Sequence, residues 1–211
     1  MNDKLKPIDS SNVPATTTVN QTGKTNVHVD HAENITQNIT LLPVFNRTAP
    51  GMSRTNPKAV STEFYHLFVM GGETFEQDHF LVPADRAISD YWTADDLRTK
   101  YGALDSESVE ELKNFPALIM QESEGYYAKA GDEQQAYLGV IEDIRVQDNG
   151  IKIRWRMVWA FQMQAVCNIG FELGMKDMTK AISELNRTHW AIKRINLLEE
   201  LKDAGLTLWG M

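Results

Sequence analysis

The run from Ala136 to Trp155, AYLGVIEDIRVQDNGIKIRW, constrains the fold of this chain most tightly. Apolar and charged residues alternate on both sides of Asp148-Asn149-Gly150. A turn rich in residues that tolerate positive φ, set between two such runs, specifies a β-hairpin. The hairpin is expected over residues 136–158, and it commits this part of the chain to a sheet.

The flanking segments supply the other elements. Phe64 to Met70 and Phe75 to Val82 read as strands separated by the Gly71-Gly72 turn, and Pro83 suits the first turn of a short helix carrying Ala87, Ile88 and Tyr91. Thr93 with Asp96 resembles a capping box for a second helix through Tyr101, and Ser106 to Leu112 makes a third, acidic one. Phe115 to Gln121 returns to a strand, followed by a polar loop to Gln135. After the hairpin, Met163, Val166, Cys167, Gly170 and Phe171 recur at helical spacing, with Gly174 as the stop. Met178, Ile182 and Leu185 fit another short helix. In the last helix Asn196 caps, Glu199 answers three residues later, and Leu198 and Leu201 are buried before Gly205. The fold class is α+β: an antiparallel sheet with a long β-hairpin and C-terminal helices, in one globular domain over residues 61–211.

Residues 1–60 differ in character, being poor in large apolar side chains and rich in Thr, Asn, Pro and Ser. Such a composition buries too little surface to offset ordering entropy, so a largely flexible arm is expected. Within it, residues 25–42 read TNVHVDHAENITQNITLL, where Val27 and Val29 alternate with polar residues. A β segment with no cover of its own gains most by pairing with another edge or another copy.

Charge narrows the partners. With 29 acidic and 21 basic side chains the net charge is −8, which opposes general attraction to phosphate backbones and anionic lipid. The single cysteine, Cys167, rules out an intrachain disulfide and a Cys-rich zinc site. The start, MNDKLKPIDSSNVPATTT, lacks the apolar core of a signal peptide, and no stretch is long and apolar enough for a membrane span, so a cytoplasmic location is expected. The Asn-x-Thr sequons at Asn34, Asn38, Asn46 and Asn186 are then chance matches.

Several motifs suggest chemistry and fall short of it. TGKT at Thr22 to Thr25 ends like a P-loop, but the glycine required five residues before Gly23 is Thr18. His28, Asp30 and His31 match half of a hydrolase zinc motif, with Asn26 at the position of its first histidine, so they are weak metal candidates and no metal is expected. No cofactor is expected either. The adjacent carboxylates Glu142 and Asp143 should point to opposite faces of their strand. Cys167 lies on the apolar stripe of its helix and reads as a small buried hydrophobe. The basic residues are better grouped. Lys152, Arg154 and Arg156 share one face of a strand, and Arg187, His189, Lys193 and Arg194 flank Trp190. If the two sets adjoin, they form a cationic surface with an aromatic platform, suited to phosphate or single-stranded nucleic acid. Burial is the expectation for Trp190, with Ala191, Ile192 and Ile195 as apolar neighbours.

The strings NVHVDHAENITQNI, FVMGGETF, NFPALIMQES, VQDNGIKI and ELNRTHWAIKRINLLEEL, in this order, resemble a family of bacterial proteins of similar length carried in mobile-element or defence-type neighbourhoods. The resemblance implies a bacterial accessory factor and carries no activity, cofactor or catalytic residue. No catalytic set converges in the residues themselves, so the leading functional expectation is a non-enzymatic interaction protein, self-associating or docking to a protein partner through its arm. A nucleic-acid or nucleotide-binding module using the basic strand face is the alternative, and a metal-dependent hydrolase the third.

Overall fold

The computed structural model describes residues 60–206. The expectations for the arm, including segment 25–42 and the metal candidates His28, Asp30 and His31, lie outside the described residues.

Six strands form one sheet: β1 (Tyr65–Met70), β2 (His79–Val82), β3 (Pro116–Gln121), β4 (Gln135–Gln147), β5 (Gly150–Gln162) and β6 (His189–Lys193), in the order β2-β5-β4-β3-β1-β6. The sheet is mixed, because β1 and β3 run parallel while every other pair is antiparallel. A parallel pair requires a crossover connection. Here the crossover contains β2 and the helices α1 (Asp95–Tyr101) and α2 (Ser106–Leu112). Two further helices follow the hairpin, α3 (Met163–Cys167) and α4 (Leu197–Asp203).

The central strands are apolar on both faces, as strands covered on two sides must be. Tyr65, Leu67 and Val69 of β1 with Leu118 and Met120 of β3 pack under Met163, Val166 and Cys167 of α3 and Leu197 and Leu201 of α4. Phe68, Met70, Ala117, Ile119 and Trp190 face the other way, against Leu97 and Tyr101 of α1 and Leu112 of α2. The architecture is therefore α+β in three layers.

The hairpin forms as its pattern dictates, with Gln147 paired to Gly150 across the Asp148-Asn149 turn. Gly150 has φ 138°, and a Cβ there would lie 2.6 Å from the Val82 carbonyl oxygen. Only glycine fits. The register shifts between Leu138 and Gly139 and again between Ile141 and Asp143. Gly139 permits the first irregularity, since a Cβ at this position would lie 2.7 Å from the Trp155 ring. The second irregularity changes the reading of the acidic pair. Ile141 and Ile144 pack in the same core, so Glu142 and Asp143 share the outer face rather than facing apart.

Other local expectations are revised. The two strands separated by the Gly71-Gly72 turn form as expected, but they do not pair with each other, since β2 pairs with β5 and β1 lies between β3 and β6. After Pro83 only a 3-10 turn, Ala84–Arg86, forms. Thr93 does not cap α1; its hydroxyl instead accepts a hydrogen bond from the Ile192 amide at 3.2 Å. Asn196 does cap α4, accepting from the Glu199 amide, but the buried leucines are Leu197 and Leu201 while Leu198 is exposed. The region of Met178 to Leu185 holds a 3-10 turn, Glu184–Asn186, in place of a helix. His189 to Lys193, part of the basic cluster, is the strand β6. Among the described residues no helix is long and apolar enough to cross a membrane.

Candidate functional site

Two places combine exposure with organised chemistry. The first is the edge of β5. β2 has four residues and its ladder on β5 ends at Arg154, with one further bond from the Trp155 amide to the Asp78 carbonyl. From Met157 to Gln162, β5 pairs with β4 on one side and with no described strand on the other. This open half reads Met157-Val158-Trp159-Ala160-Phe161-Gln162, and Met157 is 47% exposed. An uncovered edge with apolar side chains is a template for pairing with another strand.

The second place lies at the other end of the sheet, around β6. Its strand buries all five residues, two of them ionisable. Lys193 is held by Glu184 at 2.7 Å and by the carbonyls of Gly174 at 3.1 Å and Trp92 at 3.3 Å, so three acceptors meet its three donors. Glu184 also accepts from the Lys176 amide at 2.6 Å. Burial alone would raise the Glu184 carboxyl, but the hydrogen bond from His189 and the Lys193 ammonium outweigh it and hold the group below its ordinary value. His189 has Glu184 3.0 Å from Nε2 and the Arg187 carbonyl 2.7 Å from Nδ1. Each ring nitrogen is turned toward an acceptor of the fold, Glu184 or the Arg187 carbonyl. The network ties β6 to the loop before it.

That tie fixes Arg187. Asn186 donates to the carbonyls of Ser123 and Gly125, Thr188 bonds to Glu122 and to the Gly71 amide, and His189 faces the Arg187 carbonyl. The Arg187 side chain itself is exposed and has no ion-pair partner among the described residues. It lines two clefts, of about 410 and 630 Å³, that share Asp85 and Arg86 with it. The smaller cleft also contains Asp90, Tyr91, Asp177 and His189. Both volumes fall within the range of small-ligand sites, about 300–1,000 Å³.

The two basic groups of the sequence do not meet. Lys152, Arg154 and Arg156 do share the outer face of β5, but β5 and β6 are separated by β4, β3 and β1, which is roughly 19 Å at ordinary strand spacing. Arg154 pairs with Asp78 and Glu142, and Arg156 with Glu142. In the second group Arg194 pairs with Asp96, while His189, Trp190 and Lys193 are buried. Trp190 donates its indole N–H to Nδ1 of His66 at 3.0 Å, and Nε2 of His66 donates to the Leu112 carbonyl at 2.9 Å. Burial lowers His66 to about 4, so the ring is neutral. Cys167 is buried as expected, with its thiol pushed up to about 11.

No His, Cys, Asp and Glu cluster among the described residues has the makings of a metal centre. Sequence reasoning missed Asp90 and the open half of β5. Asp90 has no local signal, and the edge depends on how short β2 is. No family model, curated protein or solved structure matches this chain.

Proposed function

We propose that this chain is a non-enzymatic interaction protein of a bacterial cytoplasm, self-associating by strand addition. The β-patterned segment of residues 25–42 of one copy adds to the open half of β5 in another. The observation that carries the reading is the edge itself, six residues from Met157 to Gln162 paired on one side only among the described residues. Strand addition draws affinity from main-chain hydrogen bonds and specificity from alternate side chains. The sequence of residues 25–42 carries a pattern suited to this, because Val27 and Val29 alternate with polar residues. Two further observations favour binding over catalysis. His189 turns both ring nitrogens toward acceptors within the fold, and the Cys167 thiol is buried and hard to ionise.

Sedimentation velocity on the full chain over a wide range of concentration tests the reading. The parent chain should form dimers or larger species. Charging the edge with Met157→Lys and Ala160→Lys should yield monomers, since lysines on an edge block pairing. Val27→Asp with Val29→Asp should do the same. A parent that stays monomeric overturns the proposal. Association that survives the arm substitutions but not the edge substitutions removes the arm from it, leaving β5 edges that pair with each other.

A further inference from the structure

Among the described residues, the smaller cleft beside β6 keeps two charged side chains without a counter-charge once its internal pairs are formed. Asp85 pairs with Arg86 at 3.4 Å, Asp177 with Lys180 at 2.7 Å, and His189 with Glu184 at 3.0 Å. What remains is Arg187 and Asp90, of opposite sign. They do not pair with each other.

Both sit on anchored backbone. Arg187 is fixed by Asn186, Thr188 and His189 on either side. Asp90 lies in the turn from Ser89 to Thr93, which is closed by the bond from the Thr93 amide to the Ser89 carbonyl at 2.9 Å. The same turn is fastened to β6 at both ends, through the Ser89 amide to the Trp190 carbonyl at 2.9 Å and the Ile192 amide to the Thr93 hydroxyl at 3.2 Å. Two opposite charges thus line one cleft, on segments tied to a shared strand. Anchored backbone limits how far the two groups can shift relative to the cleft, which leaves only their side-chain rotamers to be ordered by a ligand that spans them.

We propose that this cleft binds a small zwitterion of the amino-acid type, its carboxylate on Arg187 and its ammonium on Asp90. A planar guanidinium matches a carboxylate through two parallel hydrogen bonds. A simple anion would satisfy Arg187 but meet the Asp90 carboxylate, and a simple cation would meet Arg187. Tyr91, 55% exposed, adds an aromatic ring to the wall for the rest of the ligand; the Lys176 ammonium already lies 5.4 Å from its ring centroid.

Isothermal titration calorimetry on the full chain, with the proteinogenic L-amino acids, γ-aminobutyrate and inorganic phosphate as probes, tests this. At least one zwitterion should bind saturably. Arg187→Ala and Asp90→Ala should each weaken it by about tenfold or more, with the parent melting temperature kept because both side chains are exposed. The proposal is overturned if no zwitterion binds, or if binding survives either substitution. Phosphate binding that needs Arg187 and ignores Asp90 also overturns it, in favour of a plain anion site.

Discussion

Acidification should weaken this fold through one buried ring. His66 is fully enclosed between Trp190, whose indole N–H it accepts, and the Leu112 carbonyl, to which it donates. Protonating Nδ1 would break the bond from Trp190 and place a charge in the core. Burial accordingly lowers the group from 6.5 to about 4. Between those values the unfolded chain binds a proton that the folded chain does not. Stability is therefore complete above pH 6.5 and is lost as the pH falls toward 4. At about 1.36 kcal/mol for each pH unit, the whole loss is about 3 kcal/mol, a large share of the 5–15 kcal/mol typical of a domain. Urea unfolding at a series of pH values measures it. The control is His66→Gln, whose amide can accept from Trp190 and donate to Leu112 but does not titrate. Contributions of the other histidines cancel in the difference between the two proteins. The parent should lose about 3 kcal/mol more than the variant across this window. Equal losses would refute the placement of a neutral His66 in the core.

Other consequences follow from the same packing. Trp155 Nε1 is buried without a hydrogen-bond partner among the described residues whereas Trp190 Nε1 has one, so Trp190→Phe should destabilise more than Trp155→Phe, by about 1–3 kcal/mol in denaturant unfolding. Gly150→Val combines a φ of 138° with a Cβ 2.6 Å from the Val82 carbonyl, and should cost more than about 1 kcal/mol. An unchanged melting curve would mean that the turn is not where it is placed. Glu184→Ala leaves the Lys193 ammonium buried without its counter-charge and should cost about 3–5 kcal/mol, part of which Lys193→Met added to it should restore.

The legible parts of this sequence were those in which one local rule acts alone. Strict alternation around Asp148-Asn149-Gly150 gave the β4–β5 hairpin, and an Asn three residues ahead of a Glu gave the start of α4. Strand β6 was hidden because its polar residues, His189 and Lys193, are paired inside the fold, which alternation cannot express. The pairing of β1 with β3 depends on burial of both faces, a property of the whole sheet that no local run records. Strict alternation puts Glu142 and Asp143 on opposite faces, and an irregularity in the ladder breaks that period of two and leaves both on the outer face. At the site, Arg187 belonged to a recognisable basic cluster. Its isolation from that cluster's other members depends on the fold, which pairs Arg194 with Asp96 and Lys193 with Glu184.

Hydrogen exchange along β5 bears most directly on strand addition at its open half. In dilute protein the outward-facing amides between Met157 and Gln162 should exchange faster than those paired to β4, and they should become protected as the concentration rises into the associating range. In the Met157→Lys and Ala160→Lys variant that protection should be lost. Amides of this segment that exchange at the same rate at every concentration, while the parent chain associates, would place the contact elsewhere and contradict the account.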